Sequence, residues 1–107
     1  IAPRKDAVRE VEERTRGWRA AWRRGEAGDG FIAPERATSI RKVERQEKRV
    51  RVTFGPVRVL EGPGYVVSWF AQRTASPDGG AETGVRRLYW EKQGDGEYRI
   101  VGTAWAD

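Results

Sequence analysis

The sequence predicts an α+β fold in which N-terminal helices pack on a bent, four-stranded antiparallel meander sheet. Three observations carry this reading. Apolar residues recur at helical spacing as far as about residue 47, the period drops to two from residue 49, and the alternating runs are parted by clusters of Gly, Pro, Asp and Ser that suit tight turns.

In the opening segment Val8, Val11, Thr15, Trp18 and Trp22 fall three and four residues apart, one stripe of a helix whose other positions are charged or small. Pro3 suits the first turn, Arg23 and Arg24 complement the negative end of the dipole, and Gly25 suits the exit, so the spacing predicts a helix over 4–24. Pro34 opens a second helix over 34–47, with Ala37, Ile40 and Val43 as a shorter stripe and Glu44 and Lys48 at helical pair spacing. The first strand, RVRVTF, alternates through Val50, Val52 and Phe54. Gly55-Pro56 then inserts one extra residue before Val57 and Val59, the mark of a bulge or bend. After a turn over 61–64 come the strands YVVSWFAQRTA, ETGVRRLYWEKQ and EYRIVGTAWA, joined by turns over 76–80 and at Gly94-Asp95-Gly96. Such a sheet must bury one face, and the first helix with its Trp pair is the cover.

A chain of 107 residues supports one core, so 1–107 is expected to form a single domain; opening at Ile1, it reads as a fragment of a longer protein. There is no Cys, which removes disulfides, thiolate catalysis and Cys-based zinc sites, and no His, the commonest metal ligand and general base. Neither metal nor cofactor is expected. No apolar run approaches the roughly 20 residues that span a bilayer. The 21 Lys+Arg against 16 Asp+Glu give a net charge of +5, which invites a nucleic-acid reading. Residues 4–24 and 41–51 together hold +8, however, and the rest of the chain sums to −3. The basic surplus and the aromatic half thus lie apart along the chain, whereas a stacking platform needs both together. Helical spacing also spreads Arg14, Arg16, Arg19, Arg23 and Arg24 around the side away from the Trp face. No nucleic-acid partner is expected, and a basic nucleic-acid module stays as the minor alternative.

Two stretches carry a family resemblance. GWRAAWRRGEAGD resembles the opening of the nuclear transport factor 2-like superfamily, where a helix bearing two Trp runs into Gly-Asp. FAQRTASPDGGAETGVRRLYWEKQGDGEYRIVGTAW is similar to the end of one branch, the accessory domain found C-terminal to some L,D-transpeptidases and in exported proteins of Gram-negative bacteria. Its matching positions are Phe70, Gln72, Ser76, Glu82, Thr83, Gly84, Arg86, Leu88, Gly96, Tyr98, Ile100, Val101 and Trp105. Thr74 stands where that pattern has Tyr, Tyr98 where it has Trp and Glu82 where it has Asp, and the segment over 25–31 is briefer by about one short helix. The resemblance implies a cone-shaped, cystatin-like α+β roll and a periplasmic or cell-envelope protein, with a role linked to peptidoglycan L,D-transpeptidation. Its alternative is a SnoaL-like isomerase or hydrolase with a pocket inside the cone.

Enzymes of that kind work with acids on inward positions. On the second long strand Val66, Ser68, Phe70, Gln72 and Thr74 alternate inward, and Tyr65, Val67, Trp69, Ala71 and Arg73 outward; the inward set holds no acid. Glu82, Glu91, Glu97, Asp78 and Asp95 fall at strand ends or turns, and Asp29, in Gly-Asp-Gly, is the one acid near a plausible mouth. No catalytic residue is assigned, and binding is the expected role. Ser68, Phe70, Gln72, Arg86 and Tyr98 would project over a floor of Trp18 and Trp22, apolar walls with a few donors suited to a small or peptidoglycan-related ligand. The competing reading is a filled interior with Arg86 reaching solvent. Outside, Tyr65, Val67 and Trp69 form an apolar strip through which a homodimer is expected. In the last hairpin Arg86, Leu88 and Trp90 share one face, and Arg87, Tyr89 and Glu91 the other.

Overall fold

A computed structural model describes residues 7–24, 29–36, 51–76 and 78–106. One helix, α1 (Ala7–Arg23), precedes short 3-10 turns at Asp29–Phe31 and Pro34–Arg36. Five strands follow: β1 (Arg51–Phe54), β2 (Arg58–Gly62), β3 (Tyr65–Ala75), β4 (Ala81–Lys92) and β5 (Tyr98–Ala106). All pair antiparallel in the order β1-β3-β4-β5, with β2 also on β3, so the architecture is α+β, with one helix on one open sheet among the described residues. Of the expected helix over 34–47, the described residues include the 3-10 turn Pro34–Arg36, and the remainder lies outside them.

The expected first strand is divided in two, which makes five strands where the sequence predicts four. Phe54 pairs with Gln72 and Arg58 with Trp69, so four steps (58 − 54) match three on β3 (72 − 69), the one extra residue foreseen at Gly55-Pro56. Pro56 cannot donate to a ladder, while the Gly55 amide still reaches the Ala71 carbonyl at 2.8 Å. A second bulge has no counterpart in the sequence reading. Tyr89 pairs with Gly102 but Trp90 with Ile100, leaving Val101 unmatched. That slip resets the faces of β5, so Thr103 and Trp105 join Leu88 and Arg86 on the inner side.

The helical stripe is buried as its spacing requires: Val11, Thr15, Trp18, Ala21 and Trp22 face the sheet. Across from them Val66, Phe70, Leu88, Trp90 and Ile100 complete the core. Aromatic rings make much of the contact, with Trp18 stacked on Trp22 at 6.0 Å and Phe54 edge-on to Phe70 at 5.2 Å. Arginines of α1 supply a second fastening. Arg19 donates to the Gly55 carbonyl at 2.8 Å with its guanidinium 5.1 Å from both Phe54 and Phe70, and Arg14 donates to the Gly30 carbonyl at 2.8 Å while lying 5.1 Å from Phe31. Burial, then the neighbouring Arg23 and Arg16, lower the Arg19 pKa, yet a guanidinium keeps its charge. Part of the basic surplus counted along the helix is thus spent on holding helix to sheet.

Candidate functional site

The inner face divides into a centre and two ends. At the centre lies a polar chain inside the apolar core. Ser68 and Thr15 are fully buried, with Ser68 Oγ and Thr15 Oγ1 2.8 Å apart, Thr15 Oγ1 2.7 Å from the Val11 carbonyl, and Trp90 Nε1 2.9 Å from Ser68 Oγ. Each hydroxyl has one proton, so the chain closes in one way: Trp90 donates to Ser68, Ser68 to Thr15, and Thr15 to the Val11 carbonyl. Every polar atom in it is satisfied without a ligand. Phe70, expected to line a pocket, is 1% exposed and packs against Trp18 and Phe54. Ser68 and Phe70 therefore belong to the core that joins helix to sheet.

At the end formed by the C-terminal part of β3 and the start of β4, Arg86 Nε donates to Gln72 Oε1 at 2.7 Å, and Gln72 Nε2 donates to Thr74 Oγ1 at 3.2 Å. The guanidinium carbon of Arg86 lies 5.8 Å from the Trp18 ring, 5.7 Å from Trp22 and 5.5 Å from Trp105. Sequence reasoning gave Trp105 no place here, because the bulge at Val101 decides its face. Its indole crosses β4 at Gly84, where a Cβ would come within 2.6 Å of Trp105 Cζ2 and of the Ala106 carbonyl oxygen, so only glycine fits. Trp22 is 8% exposed and its Nε1 proton has no acceptor among the described residues.

Tyr98 sits at the opposite end. It pairs with Lys92, six residues along β4 from Arg86, or about 20 Å at about 3.3 Å per residue. There it lines a separate cavity of about 170 Å³ with Glu61, Tyr65, Val66 and Lys92. Burial first, then Glu10 and Glu61, raise the Tyr98 pKa, so its hydroxyl stays protonated at neutral pH. The structure brings Trp18, Trp22, Gln72 and Arg86 together and leaves Tyr98 outside their reach. Asp29 is placed by its backbone alone, in the 3-10 turn Asp29–Phe31.

The outer face holds a shallow groove of about 500 Å³ lined by Tyr65, Val67 and Trp69 of β3 with Val85, Arg87 and Tyr89 of β4 and Ala106. The apolar strip expected there exists, and Tyr65 and Tyr89 lie 6.3 Å apart. Among the described residues, no group of three or more acids is spaced to hold a metal ion, and no helix is long and apolar enough to cross a membrane.

No protein-family model matches the chain, and no curated protein sequence does. Two solved structures are similar in fold. One is a ketosteroid isomerase candidate from Shewanella frigidimarina NCIMB 400, with a TM-score of 0.70 and 14% identity over 94% of this chain and 98% of that one. The other is Bd1075 of Bdellovibrio bacteriovorus, with a TM-score of 0.62 and 20% identity over 92% of this chain but 39% of that one. At such identities the likeness speaks of architecture: the chain has the nuclear transport factor 2-like fold.

Proposed function

We propose that the domain is a non-catalytic binding module that takes a small ligand at the Arg86 end of its inner face. The observation that carries this is the indole N–H of Trp22, buried beside the Gln72–Arg86 pair and without an acceptor among the described residues. A buried donor left unpaired costs about 1 to 3 kcal/mol, and a ligand oxygen delivered to Nε1 recovers that cost. Trp22, Trp105 and Phe54 supply flat apolar walls and Arg86 a cation, which fits a ligand with an apolar body and a carboxylate or carbonyl head. A thermal-shift screen of small aromatic and aliphatic carboxylic acids tests it. Stabilisation by members of that set should disappear in Trp22→Phe, which keeps the ring and removes the donor. A panel that never stabilises the wild-type domain, with Trp22→Phe more stable than wild type, removes the proposal.

The likeness to an isomerase candidate favours a second reading, a SnoaL-like enzyme. None of the inner positions of β3 is an acid, and in this reading Asp29, the acid near the expected mouth, would carry the chemistry. Isomerase, epoxide-hydrolase or esterase turnover that Asp29→Asn abolishes would establish this reading in place of the first. The sequence resemblance extends the main proposal to a bacterial cell-envelope protein working beside peptidoglycan L,D-transpeptidation. The match to 39% of Bd1075 suits a module of a longer protein. Fractionation of the cells that make the protein tests the compartment, and a wholly cytoplasmic pool rejects it.

A further inference from the structure

Folding reverses the separation of basic and aromatic residues seen along the chain. The strands carry six arginines, Arg51, Arg58, Arg73, Arg86, Arg87 and Arg99, and the register places all but Arg86 on the outer face. Arg99 is held by Asp95 at 2.7 Å and by Glu97 at 3.2 Å. Arg51, Arg58, Arg73 and Arg87 are exposed and form no ion pair with a described residue, and Glu91 is the one acid on the outward positions of the strands. Trp69 lies directly between Arg58 of β2 and Arg87 of β4, and the next rung sets Leu60, Val67 and Tyr89 side by side. Leu60 is 60% and Tyr65 43% exposed, so apolar surface and unpaired cations are presented together.

We propose that this outer face binds single-stranded nucleic acid, with the aromatic rings of Trp69, Tyr65 and Tyr89 taking bases and the flanking arginines taking phosphates. Charge selects the class of occupant. A second copy paired about a two-fold axis would set this same cationic face against itself, with Glu91 as its single acid. A polyanion meets four unpaired guanidiniums instead. The groove selects among polyanions: a trench of about 500 Å³ walled by aromatic rings admits flat groups one after another, which a bilayer surface does not offer. Stacking needs no base-specific hydrogen bonds, so the binding is tolerant of sequence. This inference is independent of the ligand site at the Arg86 end.

The test is fluorescence anisotropy with a labelled oligothymidylate of about 12 nucleotides, a length within the range that single-strand binders cover. Four displaced counterions at about 0.7 each predict a loss in affinity of about fifty-fold between 50 and 200 mM salt. Trp69→Ala should weaken binding at least about fivefold, and Arg87→Gln should reduce the salt slope by about 0.7, while Arg9→Gln, on α1, leaves affinity unchanged. Intact folding of each variant is read from its melting curve. Absence of binding at 50 mM salt overturns the proposal. Dextran sulfate matching the oligonucleotide, with Trp69→Ala neutral, would assign the face to any polyanion. Binding to phosphatidylglycerol vesicles but not to DNA would assign it to membranes, and a dimer by light scattering that Trp69→Ala dissociates would assign it to a second copy. Each of these three results replaces the proposal.

Discussion

Replacing Trp90 by Ala should cost the domain about 3 to 5 kcal/mol, the upper range for removing a large buried aromatic. The side chain is fully buried, stands on the central strand pair, and combines two roles. Its ring fills the space between α1 and β4, where Leu88 and Ile100 are also fully buried, and its indole N–H begins the polar chain through Ser68 and Thr15 to α1. Removing it leaves a void and an unfilled acceptor at Ser68. Trp90→Phe separates the two effects. It keeps most of the volume and loses the hydrogen bond, so about 1 to 3 kcal/mol of the loss should remain. A urea midpoint unchanged in Trp90→Ala would mean that the core is not where the structure puts it.

How much of this was legible in the sequence depends on which residues decide it. The stripe of Val11, Thr15, Trp18 and Trp22 and the inward set from Val66 to Gln72 were readable because periodicity reports burial directly. The extra residue after Phe54 was readable too, since Gly55-Pro56 marks a bulge or bend, but that it divides the strand in two was not. The β5 bulge was not. Val101 has no special backbone chemistry, and Gly102 beside it is a weak signal, so the face of Trp105 could not be assigned and the third indole around Arg86 went unseen. Distances between sites were hidden for a different reason. Arg86 and Tyr98 both point inward, but an alternating pattern gives the face and not the position along it. Only the register shows the two residues at opposite ends.

Charge was misleading in a third way. Summed along the chain, the aromatic second half is acidic, because Asp78, Glu82, Asp95 and Glu97 are counted with the strand arginines. In space those acids lie in turns and at strand ends, while the arginines alternate onto one face. Three arginines of α1 that make the first half look basic lean onto Phe31, Phe54 and Phe70 instead. A linear charge count therefore misses that the strand arginines share one face.

Trp18→Ala should also cost about 3 to 5 kcal/mol and lower the melting temperature by about 10 to 30 °C, but by a different route. Trp18 is 2% exposed and touches the Arg86 end through three partners: Trp22 at 6.0 Å, Phe70 at 6.4 Å and the guanidinium of Arg86 at 5.8 Å. Its loss removes packing and also one wall of the arrangement that holds Arg86 against Gln72. The two consequences are separable in a double-mutant cycle with Arg86→Met, which keeps an apolar stem and removes the cation. If the ring and the guanidinium support each other, the double variant should be less destabilised than the sum of the singles by about 0.5 to 2 kcal/mol, the range of cation–π pairs from exposed to desolvated. Strict additivity would reduce Arg86 to a neighbour of the core. The ligand response proposed at Trp22 would then have to come from the indole alone, and it should survive in Arg86→Met.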